Sequence, residues 1–202
     1  MLRAKELIGM HDRMAAEWHA VIPRDESLMQ NDAETLLLRQ HLANFELWHE
    51  EDEARAPGAN DAAIARVKRA IDLLNQRRHD VTEALDSLLL EQLQGGAGWN
   101  GDAPLHSETP GMMADRLSIL ALKMHHTREE VHRKNAPAGH AENNQARFQV
   151  LGRQRNDLAA CFDSLLDECT AGRRRFALYR QLKMYNDPAL NPAVYNAEAR
   201  GS

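Results

Sequence analysis

Between residues 60 and 94 apolar side chains recur every three or four positions, as Ile64, Val67, Ile71, Leu74, Val81, Leu85 and Leu88. That spacing gathers them on one face of an α-helix, and Arg78 stands where the series calls for another apolar residue. The same stripe returns as Phe148, Leu151, Leu158, Phe162 and Leu165, with Arg155 in the matching gap. Two further segments follow the rule with polar endings. One reads Leu38, Leu42, Phe45, His49, Asp52, and the other Asp115, Ile119, Leu122, His126, Glu129. No stretch alternates with period two over a useful length, so no strand is predicted.

Breakers divide the chain into six predicted helices, over about 2–21, 31–55, 60–94, 110–133, 141–171 and 173–185. Pro23, Pro57-Gly58, "GGAGWNGD", "KNAPAGH", Gly172 and "NDP" end them in turn. Thr109-Pro110 announces the fourth, with a capping hydroxyl followed by proline at the first helical position. Segments 78–91, "RHDVTEALDSLLLE", and 155–168, "RNDLAACFDSLLDE", are identical at seven of fourteen positions, an offset of 77. Carried upstream, that offset pairs His49 with His126 and Asp52 with Glu129. The expected fold is therefore all-α: a pseudo-repeated four-helix bundle made of hairpins 31–94 and 108–171, with additional N- and C-terminal helices. The whole chain, 1–202, reads as one helical domain, closed by a C-terminal helix and extended arm over 173–202.

Buried ionisable groups need a partner, a metal or a ligand. His49 and Asp52 lie roughly 10 Å from their hairpin loop, and Arg78 roughly 25 Å. With both loops at one end, His49, Asp52, His126 and Glu129 share one layer, and Arg78, Arg155 and Asp115 form another. The linker 95–107 would barely span the bundle, which favours this arrangement over an inverted hairpin. Three readings follow. The polar layers are an ion-paired core that fixes register; or His49, Asp52, His126 and Glu129 hold a divalent metal; or an anionic small molecule is held by Arg78, Arg155, Asp115, Arg116 and Lys123. In an enzyme, His49 and His126 are the acid–base groups, with Asp52 and Glu129 as their partners. The remaining histidines, among them His11, His19 and His125, are expected on solvated faces. His79-Asp80, with His49 and Asp115, follows the order of metal-dependent phosphohydrolases of the HD type, but His79 lies off the stripe.

Composition narrows the classes. A net charge of −5 argues against a nonspecific nucleic-acid binder. No apolar run reaches the roughly 20 residues of a membrane span, and the N-terminus lacks a signal-peptide core. Cys161 and Cys169 sit eight apart on one predicted helix, about 12 Å, too far for a disulfide. A reducing cytoplasm is the expected location.

The blocks "LWHEEDEAR", "KRAIDLLNQRRHDVTEALD", "SETPGMMADRLSILALKMHH", "QRNDL" and "KMYNDPALNPAVY" resemble a bacterial family registered as domain of unknown function 4254. The resemblance runs from about residue 40 to 195. It marks Trp48, His49, Glu51, Asp52 and Arg55, then Asn75, Gln76, Arg78, Asp80 and Glu83. Further on it marks Asp115, Arg116, Lys123, His126 and Glu129, then Arg155, Asp157, Lys183, Tyr185, Asn186 and Asp187. It implies no assigned activity. Members are often encoded beside glycosyltransferases of envelope polysaccharide pathways, which implies a phosphorylated sugar or nucleotide as ligand. The alternatives are a non-catalytic glycosyltransferase partner with a purely structural polar core, and a metal-dependent oxidase or hydrolase. Tyr185 and Tyr195 could fold the C-terminal arm over a pocket; a packing arm or an exchange arm in a homodimer is the plainer reading.

Overall fold

The computed structural model describes residues 2–21, 30, 32–182, 189–192 and 196. These form five helices: α1 (Ala4–Trp18), α2 (Ala33–Glu53), α3 (Asp61–Gln94), α4 (Pro110–Val131) and α5 (His140–Thr170). The all-α expectation is met. Each start follows from local chemistry. The side chains of Asp32, Asn60 and Thr109 accept from the backbone amides of Thr35, Ala63 and Met112, capping α2, α3 and α4. Gly58 and Gly172, with φ of +89° and +68°, turn the chain where α2 and α5 have ended.

Helices α2 and α3 pack as one hairpin and α4 and α5 as the other, while α1 lies mainly against α4 and also touches α5 and α2. Helices α2 and α4 run side by side in the same direction, because His41 meets Ser118 and, two turns on, His49 meets His126. The main core gathers Leu7, Leu36, Leu85, Met113, Leu117 and Phe162 from all five helices. A smaller cluster, with Trp18, Phe45 and Leu122, lies nearer the hairpin loops.

The stripe on α3 is buried only in part. Val67, Val81 and Leu85 are buried, but Ile64 is exposed, and Ile71 and Leu74 are half-buried. The first half of α5 is likewise mostly solvated. Helices α3 and α5 pack against the neighbours between them and not closely against each other, so their N-terminal halves are covered on one side only.

Residues 173–182 are not helical, against the expectation of a sixth helix there. Past Gly172 the chain runs extended, bridging Arg175 to Leu105 in parallel register. The Arg175 amide donates to Pro104 and its carbonyl accepts from His106, which supplies the bonds a helix would have made internally. Phe176 anchors the segment in the core. Lys183, Tyr185, Asn186, Asp187 and Tyr195 lie outside the described residues. No described helix is long and apolar enough to cross a membrane.

The repeated aspartates of the two matching segments do the same work. Asp86 accepts from the Thr109 hydroxyl at 2.5 Å and the Gly111 amide at 2.6 Å, holding the start of α4. Asp163, 77 positions later, accepts from the Ala4 amide at 2.9 Å, holding the start of α1. Each closes on the unpaired amides and positive dipole end of another helix. Burial pushes the Asp86 carboxyl up to about 6, partly offset by the Thr109 and Gly111 bonds.

Candidate functional site

Because α3 and α5 stand apart, the outer face of α4 forms the floor of a groove between them. Its largest part, about 660 Å³, lies between α4 and α5 and is lined by Arg116, Ile119, Lys123, Gln154, Asp157 and Cys161, among others. A second part, about 420 Å³, lies between α2, α3 and α4, with Trp48, Asp52, Arg55, Asn75, Arg78 and Ile119 in its wall. A third, about 300 Å³, joins Trp48, Lys123, His126 and Arg147. Ile119, Trp48 and Lys123 each belong to two parts, so the three adjoin. Many of the positions marked by the sequence resemblance line this one groove.

A polar layer crosses beneath it. The Arg78 guanidinium stands 3.9 Å from Asp115. Asn44 donates to Asp115 at 2.9 Å and to the Ser118 hydroxyl at 3.0 Å, and that hydroxyl lies 2.7 Å from His41 Nδ1. The expected meeting of Arg78 with Asp115 is observed. Arg155 is elsewhere: it makes two bonds, 2.7 and 2.9 Å, to Asp12 of α1. The intervening helix α1 supplies the acid that a four-helix layer would have taken from α4. Arg116 pairs with Glu108 at 2.7 Å at the groove's edge.

The second polar level is nearer the hairpin loops. His126 Nδ1 lies 2.9 Å from Glu129, and the Trp48 ring stacks on His126 at 4.6 Å between centroids. His49 and His126 are 6.2 Å apart, so three of the four side chains expected in one layer, His49, His126 and Glu129, lie together. Asp52 is exposed and lines the groove instead of joining the imidazoles. Two histidines expected on solvated faces enter the cluster. His19, one residue past the end of α1, stacks on His125 at 4.4 Å and lies 5.2 Å from His49 and 4.9 Å from His126. Burial, and then the nearby His19, lower both His49 and His125 from the ordinary imidazole value. Among the described residues, no three His, Cys, Asp or Glu side chains converge as a metal site in the present arrangement.

A third departure is deeper. His11, expected in solvent, is fully buried and stacks on the equally buried His41 at 4.6 Å. Burial pushes His41 down to about 3 and His11 well below its ordinary value. Neither ring nitrogen of His11, nor Nε2 of His41, has a hydrogen-bond partner. The signal was present in α1, where Leu7, His11, Ala15 and Trp18 step by four, four and three along one stripe.

No curated protein and no solved structure matches the chain. A family model does match, over residues 34–178, which takes in α2 to α5, the whole groove floor and the start of the extended tail, and leaves out α1. On that match, covering well over half of the sequence, the chain belongs to the family described as "Protein of unknown function (DUF4254)".

Proposed function

We propose that the protein binds an anionic small molecule in the groove over α4, with Arg78 as the principal anion contact and Lys123 in the adjoining parts of the groove. Arg78 carries the reading. Its side chain is 22% exposed, and among the described residues no acid comes closer than the 3.9 Å to Asp115. Asp115 is itself engaged by Asn44, and Arg78 Nε is buried without a partner. Arg155, of similar exposure and likewise with an unpartnered Nε, is by contrast held by both oxygens of Asp12 at 2.7 and 2.9 Å. A half-buried guanidinium with donors to spare favours a phosphate or carboxylate, which accepts two of its N–H groups at once. Trp48 and Ile119 add apolar wall for a ring system. A phosphorylated sugar or a nucleotide combines those two features, and the resemblance to genes found beside glycosyltransferases directs the choice of compounds.

Calorimetric titration with sugar phosphates, nucleoside diphosphates and nucleotide sugars tests this. Arg78→Met is expected to weaken the best ligand roughly 10- to 100-fold, the scale of one or two charge-assisted bonds. Arg155→Met is expected to leave affinity unchanged while costing stability. Equal affinity for wild type and Arg78→Met, both folded by circular dichroism, would refute the assignment.

A further inference from the structure

The part of the groove between α2, α3 and α4 has a cation at one end and an acid at the other. We propose that it holds a monosaccharide monophosphate, with the phosphate on Arg78 and the sugar hydroxyls read by Asn75 and Asp52. The inference rests on the anion reading, and adds which end of the ligand is neutral and which residues select it.

The hairpin register orders these side chains. Glu53 pairs with Arg66 and Glu46 with Arg77, so α2 and α3 run antiparallel. Counted from the Arg77 bridge, Arg78 lies level with Phe45 and Asn75 with Trp48, and Asp52 follows one turn nearer the hairpin loop. At ~1.5 Å of rise per residue, about 10 Å of helix separates the Arg78 level from Asp52. One sugar ring with a hydrogen bond at either end fills that length.

Charge decides what the far end accepts. Glu51 is paired with Arg55 at 2.9 Å, so these two offset one another. Asp52 is exposed, and its side chain makes no hydrogen bond or ion pair among the described residues. The mouth of this part therefore carries a net negative charge, which repels a second phosphate and accepts hydroxyl protons. A pyrophosphate is disfavoured there and a neutral polyol is favoured.

Asn75 stands between the two charges. It is half-buried, and its side chain likewise has no partner among the described residues. An amide both donates and accepts, as a hydroxyl does, so one sugar hydroxyl can satisfy it. The Trp48 ring, level with Asn75 in the same wall, offers an apolar surface to the C–H face of a sugar. His126 stacks on that ring at 4.6 Å and holds it in place. Inorganic phosphate would use Arg78 and leave Asn75 and Asp52 idle; a sugar phosphate engages all three.

The test is calorimetric titration of the full-length protein with inorganic phosphate, pyrophosphate and a set of hexose monophosphates. In wild type the best hexose monophosphate is expected to bind about 10-fold or more tighter than inorganic phosphate, the scale of one hydrogen bond to a charged group. Asp52→Ala is expected to lose about 10-fold for that sugar phosphate, yet to bind inorganic phosphate as well or slightly better, since an acid has gone. Asn75→Ala is expected to lose about 3- to 10-fold for the sugar phosphate alone. Arg78→Met weakens both ligands. Three results would overturn the sugar assignment and leave Arg78 as an anion site. These are a hexose monophosphate bound no tighter than inorganic phosphate, pyrophosphate bound tighter than every hexose monophosphate, or unchanged sugar-phosphate affinity in Asp52→Ala and Asn75→Ala, both folded by circular dichroism. Wild-type protein that binds neither phosphate nor any of its sugar esters would refute the anion reading, and this inference with it.

Discussion

Acidification from about pH 7.5 to 4.5 is expected to cause a net loss of folding stability through three buried side chains, His11, His41 and Asp86. His11 and His41 are fully buried, and both are held neutral in the folded protein, His41 with a pKa of about 3. In the unfolded chain each titrates near 6.5. The unfolded state therefore takes up protons first as pH falls below that value. Each histidine contributes stability that is complete above 6.5 and is lost on the way down; for His41, with its folded value of about 3, the loss is about 2.7 kcal/mol at pH 4.5, and His11 adds to it in the same direction.

Asp86 works in the opposite sense. Its carboxyl is raised to about 6 in the fold from 3.8 in the unfolded chain, so the folded state binds a proton first as pH falls. That returns about 2 kcal/mol at pH 4.5, which offsets part of the loss from the two histidines. Urea unfolding at the two pH values checks the sum, and variants separate its parts. His11→Leu is expected to shrink the pH-dependent loss, and Asp86→Asn to widen it by about 2 kcal/mol. His11→Leu should also gain about 1 kcal/mol near pH 7.5, because it removes two buried nitrogens that have no partner. Identical pH dependence in wild type and His11→Leu would mean that His11 is not held neutral by burial.

Helix positions were legible because they follow from periodicity and from breakers that act within a few residues. The α3 and α4 starts were read within a residue, since Asn60 and Thr109-Pro110 are local signals. What failed was non-local. The segment after Gly172 is held by backbone bonds to Pro104 and His106, almost seventy residues upstream, and nothing in its own sequence reports them. The layer containing His49, His126 and Glu129 was found from the 77-residue offset. Its companions His19 and His125 were not, because His19 arrives from outside the repeat and His125 shares its helix with the more obvious His126. Arg155 shows the same limit: its place on the stripe was read correctly, but its partner Asp12 belongs to a helix that the repeat says nothing about. The conspicuous aspartates of the repeat, Asp86 and Asp163, serve as caps for other helices, contacts that no pattern within their own helices reports.

That capping role makes Gly111→Ala the most damaging small substitution expected at the start of α4. A methyl group at position 111 would lie 2.7–2.8 Å from all three atoms of the Asp86 carboxyl group, well inside contact distance. The carboxyl must then retreat, which breaks its bonds to the Gly111 amide and the Thr109 hydroxyl. Loss of a helix cap costs about 1–2 kcal/mol, and leaving a buried polar group short of donors costs about 1–3 more. A total near 3 kcal/mol would lower the melting temperature of a chain of this size by roughly 6–12 °C. Glycine flexibility is not the cause, since Gly111 is not among the positive-φ glycines and alanine is the better helix former. A double-mutant cycle distinguishes the collision from a propensity effect. Once Asp86→Ala has removed the carboxyl, Gly111→Ala is expected to be neutral or mildly stabilising, giving a coupling energy of about 3 kcal/mol. Additive effects of the two substitutions would instead show that residue 111 tolerates a side chain beside Asp86, and that the cap forms with its carboxyl placed elsewhere.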